Sequence, residues 1–138
     1  MIREDAPFSA FPGYQRVMVL ADGAGFALRS AESMIRVDRS QPIASFPGEL
    51  SFHCTLVEGP VRALNLIADP TRLRASAEIP DVAHPTRRRR GVVVCLDGTV
   101  VVDGTALARF DAALIEDAEI AAASADARAA FLAVLPVQ

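Results

Sequence analysis

At 138 residues, 51% hydrophobic and 22% charged, the chain carries enough apolar material for one domain-sized core and too little for two independent ones. Its net charge of −3 gives no reason to expect nucleic acid or an acidic membrane surface as a partner, and its apolar runs stay far below the roughly 20 residues of a membrane-spanning helix. The mixed charges of Met1-Ile2-Arg3-Glu4-Asp5 do not resemble a secretory signal, so a cytoplasmic chain is expected.

In chain order, Phe8-Ser9-Ala10-Phe11-Pro12-Gly13 reads as a stiff loop, because Pro12-Gly13 forces a turn immediately before a strand. Gln15 to Ala21 is rich in branched apolar residues. Asp22-Gly23-Ala24-Gly25 then supplies turn chemistry and Phe26 to Arg29 resumes, which predicts a hairpin. Ser33 to Val37 alternates more weakly, and Gln41 to Phe46 leads into Pro47-Gly48-Glu49. From Leu50 to Val57 the alternation sets Leu50, Phe52, Cys54 and Leu56 on one face. Glu58-Gly59-Pro60 turns the chain into Val61 to Ala68, the expected partner strand, where Asn65 faces away from Leu64 and Leu66.

Pro80 and Pro85 keep the next stretch extended, and Arg87 to Arg90 follow as a run of four. Two readings are open for that run: an anion site, or a solvated connector whose arginines meet acidic surface residues. All 14 basic side chains of the protein are Arg, which makes the cluster less informative. Gly91 to Leu96, Asp97-Gly98 and Thr99 to Asp103 predict a second hairpin with a type I′ turn. From Thr105 to Pro136 the abundance of Ala favours helix by propensity. Asp111, Glu116-Asp117, Ser124 and Asp126 nevertheless divide it into strand-length pieces, and Ala127 to Val134 shows no clear period.

The chemistry-bearing residues are few. His53 and His84 lie far apart and do not form the paired spacing of a metal-binding strand, so neither metal nor other cofactor is expected. Ser9 has no nearby histidine and no nucleophile-elbow spacing, and Cys54 and Cys95 read as buried free thiols, so no catalytic residue is assigned. Arg16, at the start of its strand, is suited to bidentate pairing with a carboxylate of a ligand, or alternatively to a salt bridge with Asp22 or Glu49. Asn65 offers one acceptor and two donors for an amide or formyl group, or alternatively caps a bulge or satisfies backbone groups. Phe8 and Phe11 serve equally as core or as the lip of a pocket.

The segment Phe8-Ser9-Ala10-Phe11-Pro12-Gly13 with Arg16, then Gln41-Pro42 and Phe46-Pro47-Gly48-Glu49, then Gly59-Pro60 leading to Asn65, resembles three ordered landmarks of the HutD/Ves family. The resemblance implies an all-β, cupin-like (bicupin) antiparallel sandwich or jelly-roll of two hairpin-built halves, with strands in the alanine-rich tail. It places one domain over residues 1–138, with halves at about 7–76 and 91–138 and a connector at about 77–90. It further implies a metal-free binding protein, linked to histidine utilisation, that takes a small acidic metabolite such as urocanate or formylglutamate. The expected ligand-binding set is Phe8, Ser9, Phe11, Pro12, Gly13, Arg16 and Asn65. The family's N-terminal tryptophan-containing segment is not matched, and Ala63 and Leu64 stand where its third landmark carries an acidic residue and an aromatic. The alternatives are a shortened member acting as an interaction module, with a homodimer as one form, and a metal-free cupin enzyme.

Overall fold

Alternation of branched apolar and polar residues makes strands of nearly every segment marked above. In the computed structural model, which describes residues 1–137, no helix occurs among the described residues, so none is long and apolar enough to cross a membrane. Position 138, included above in the second half, lies outside the described residues. The strands fall into two compact units, one from Met1 to Ala75 joined by the terminal residues from Pro136, the other from Ser76 to Leu135.

In the first unit β1 (Ala6–Phe8), β3 (Gly25–Arg29), β4 (Met34–Asp38) and β6 (Phe52–Leu56) form one antiparallel sheet in the order β1-β6-β3-β4. A second sheet contains β2 (Gln15–Asp22) between β5 (Ile43–Pro47) and β7 (Arg62–Ala68). Both sheets contribute to one core: Met18, Leu20, Ala44 and Phe46 from the second and Phe26, Leu28, Val37, Phe52 and Cys54 from the first. Phe26, Met18 and Leu28 are fully buried, each contributing about 1.5–3 kcal/mol by transfer out of water. Cys54 is a buried free thiol, as is Cys95, and burial raises both from the ordinary thiol value.

The turn at Asp22–Gly25 is present, yet the predicted hairpin is not: β2 and β3 belong to different sheets. The same is true of β6 and β7, which were expected to pair. The glycines act as corners that carry the backbone from one sheet to the other. Gly25 adopts φ +129°, and a Cβ there would lie 2.3 Å from the Val37 carbonyl oxygen. Gly23, at φ +103°, would place one 2.7 Å from the carbonyl oxygen of Pro60. Only β3 and β4 are joined as a hairpin among the consecutive strands of this unit.

The six-stranded sheet has the order β11-β10-β12-β9-β13-β8, built from β8 (Leu73–Glu78), β9 (Thr86–Asp97), β10 (Val100–Val102), β11 (Thr105–Leu107), β12 (Ala112–Ala122) and β13 (Arg128–Pro136). The alanine-rich tail is therefore strand. Its side chains at Ala118, Ile120, Ala129 and Phe131 enter a core with Val93, Cys95 and Val100. The hairpin expected around Asp97-Gly98 does not form, because β9 pairs with β12 and β13. The tight two-residue turn lies instead at Asp103-Gly104, φ 45° and 83°, joining β10 to β11. Arg87 to Arg90, expected as connector, form part of β9. Arg87, Arg88 and Arg90 pair with Asp117, Glu78 and Glu116. Three of the four arginines thus meet acidic surface residues, as the second reading of the run has it. Val82, also in the expected connector, is a buried member of the core.

A Gly25→Ala variant should lose about 2–4 kcal/mol of folding free energy, since it combines a left-handed φ with a carbonyl that cannot retreat. Urea unfolding measures this, and a loss below about 1 kcal/mol would show that the corner is not constrained as described.

Candidate functional site

On β2 the core-facing positions run Leu20, Met18, Arg16. The first two are apolar and the third is a guanidinium, so the inner face of the sheet ends in a charge. Arg16 stands directly opposite Phe46 of β5 and Ile67 of β7 in the register, with Asn65 on the diagonal. It is only 5% exposed.

Its surroundings are unusual for a buried cation. Nη1 donates to the carbonyl oxygen of Ser9 at 3.0 Å and Nη2 to Oδ1 of Asn65 at 3.2 Å. The guanidinium carbon lies 5.5 Å from the Phe8 ring centre, 5.0 Å from that of Phe11 and 5.5 Å from that of Phe46. These contacts supply cation–π attraction but no counter-charge. Nε is buried without a partner. Among the described residues no carboxylate pairs with Arg16, and burial lowers its pKa from the ordinary arginine value. The salt-bridge alternative is therefore not what the structure contains. Asp22 sits six residues along the same strand, about 20 Å away in extended chain. Glu49 has another role.

That role is to hold the loop over the arginine. Phe11 to Tyr14 is a tight turn closed by Tyr14 N–H to the Phe11 carbonyl at 3.1 Å, with Gly13 at φ 85°. The Phe11 N–H donates to the Gly48 carbonyl at 2.7 Å, the Gly48 N–H to the Tyr14 carbonyl at 2.6 Å, and the Gly13 N–H to Oε1 of Glu49 at 3.1 Å. Gly48 is required there, since a Cβ would fall 2.3 Å from the Phe11 carbonyl oxygen. The loop is thus fastened to the turn after β5 from both sides.

Between this loop, β7 and the first residues lies a concavity of about 320 Å³, lined by Phe8, Ser9, Phe11, Arg16, Ala63 and Asn65 together with Met1, Ile2 and Pro7. Five of the seven predicted site residues meet there. Pro12 and Gly13 do not line it and instead shape the turn behind it. Ser9 contributes its carbonyl to Arg16. Phe46, absent from the expected ligand-binding set, is a third wall of the arginine's cage. Its cross-strand position could be found only once β5 was paired with β2. Ile2 is fixed by reciprocal backbone hydrogen bonds to Val61, at 2.8 and 2.9 Å. Among the described residues no group of three or more His, Cys, Asp or Glu side chains is arranged to hold a metal ion.

A family model described as HutD matches residues 1–133. The chain belongs to the HutD family. HutD from Pseudomonas fluorescens SBW25, solved in a formate condition, is similar to it with a TM-score of 0.80 and 26% identity over 99% of this chain and 76% of that one. A conserved protein of unknown function from Pseudomonas aeruginosa PAO1 gives a TM-score of 0.75 and 25% identity over 99% and 79% of the two chains. An uncharacterised 21.2 kDa protein in the hutC 3′ region of Pseudomonas putida is 35% identical over 79 residues, 54% of this chain and 39% of that protein. The match therefore takes in well under two thirds of that relative's length. The fold is the all-β, cupin-like one of this HutD family, which is linked to the histidine-utilisation locus.

A buried charge held only by neutral acceptors and aromatic faces costs stability in the unliganded protein. An Arg16→Met variant should accordingly unfold at the same temperature as the parent or a few degrees higher, a gain of up to about 2 kcal/mol. A fall in Tm of more than about 5 °C would show that Arg16 is mainly structural.

Proposed function

We propose that this HutD-family protein binds a small carboxylate-bearing metabolite of histidine breakdown at Arg16, in an accessory or regulatory rather than catalytic role. The observation that carries the reading is the uncompensated guanidinium that lines the concavity. Two of its five protons are engaged by Ser9 and Asn65, leaving protons on both terminal nitrogens for a carboxylate to meet end-on. A carboxylate placed there gains a charge-assisted pair in a partly dry site and relieves the cost of the buried cation. Asn65, with Oδ1 committed to Arg16, keeps its NH₂ group for a neutral acceptor such as a formyl oxygen or an imidazole nitrogen. Phe8, Phe11 and the apolar wall of Ile2, Pro7 and Ala63 suit the uncharged body of such a molecule. The family's link to histidine utilisation makes urocanate and N-formylglutamate the first candidates, and a cytoplasmic site of action goes with that reading.

Formate is the smallest carboxylate and a minimal probe of the arginine. Formate and urocanate should each raise the Tm of the parent protein by a few degrees at concentrations well above Kd, and neither should do so for Arg16→Met. Differential scanning fluorimetry decides this. Equal shifts in parent and variant, or none in either, would remove the carboxylate reading.

A further inference from the structure

Away from the arginine, and wholly within the second unit, the six-stranded sheet carries an apolar row that its own core leaves uncovered. We infer that this row, centred on Val92 of β9, is the contact face of a homodimer in which Leu114 of each copy packs on Leu132 of the other. The inference is independent of the Arg16 site.

The row follows from the register. Leu114 of β12 and Leu132 of β13 both stand opposite Val92, one on each side of β9. In the rows before and after it, Val93, Phe131 and Ile115 belong to the core and Ala113 and Ala133 pack against it, so Leu114, Val92 and Leu132 face the other way. On that face Val94 and Ala130 are buried, Val92 and Leu132 are half-buried, and Leu114 is 85% exposed. The apolar surface thus runs from covered to open and ends in a leucine held in water on an interior strand of the sheet. A single exposed apolar side chain is ordinary, whereas a cross-strand row of them marks a contact surface.

Two features select a second copy as the occupant. The row reads leucine, valine, leucine about Val92, so a two-fold axis lying along β9 between two stacked sheets sets Val92 on Val92 and Leu114 on Leu132. The exposed member of each row then covers the half-buried member of the other. Beside the row the charge is balanced: Arg90 and Glu116, with side chains 66% and 88% exposed, form a loose pair at 3.8 Å. Such a rim favours neither a strongly basic nor a strongly acidic partner, and an identical copy brings one charge of each sign to meet it.

Sedimentation equilibrium of the parent protein at about 100 µM should give a mass near twice the 14.7 kDa of one chain. Leu114→Lys, at a position the folded chain leaves in water, should halve that mass while keeping the far-ultraviolet circular dichroism of the parent. Val57→Lys, which replaces an exposed apolar side chain of the first unit, should leave the dimer intact. A Leu114→Cys, Leu132→Cys double variant tests the face itself, because the two positions lie two strands apart in one chain, about 9–10 Å, too far for a disulfide within it. Oxidation should therefore join two chains. A monomeric parent overturns the inference and leaves the row to a different protein. A dimer that survives Leu114→Lys, or a double variant that stays single-chain under oxidation, overturns it as well.

Discussion

The organising constraint in the first unit is the placement of a guanidinium where the alternation of β2 calls for another apolar side chain. Leu20 and Met18 occupy the inner face of the sheet, and Arg16 comes next on that face with 5% exposure. Solvation lost by a cation on such a face must be replaced, and the replacements dictate much of what surrounds it. The Ser9 carbonyl and Asn65 amide accept its protons, and three phenylalanines turn their faces toward it. None of these carries a negative charge. The residual cost is the reason to look for an anion from outside the chain.

The lip follows from the same constraint. Phe11 reaches the arginine only if the loop before β2 is held close, and three hydrogen bonds to Gly48 and Glu49 do this. A glutamate that would otherwise be an available counter-ion is occupied with Gly13 N–H. Glu49 is thereby spent on the backbone of the loop rather than on Arg16. The result is a site that is rigid in its backbone and unbalanced in its charge, which is the combination expected where function is retained against stability.

Much of the architecture was legible in the sequence and its pairing was not. Strand positions, including the alanine-rich tail, follow from alternation, turn residues and family resemblance. Partner choice does not, because a glycine turn such as Asp22–Gly25 looks the same locally whether it returns a strand beside itself or carries it to another sheet. The Asp97-Gly98 signal misled in a related way, since β10 stays in the sheet of β9 but with β12 inserted between them, while Asp103-Gly104 made the two-residue turn. Among arginines the visible cluster was the less informative one: Arg87, Arg88 and Arg90 find acids on β12 and β8. The single Arg16 is the centre of the proposed site, and its lack of a counter-ion is a property of three dimensions. Phe46 escaped notice as a site residue for the same reason, since only the β2–β5 register sets it opposite Arg16.

The central claim is that Arg16 is a buried cation waiting for an anion, and the Nε–H resonance of that side chain reports on it directly. In an arginine-selective ¹⁵N correlation spectrum, with Arg16→Met identifying the peak, a solvent-protected Nε–H signal should be present without ligand and should move on addition of formate. Chloride at the same ionic strength should leave it in place. A signal that exchanges rapidly with water, or one that ignores formate while the rest of the spectrum confirms a folded protein, would contradict the account.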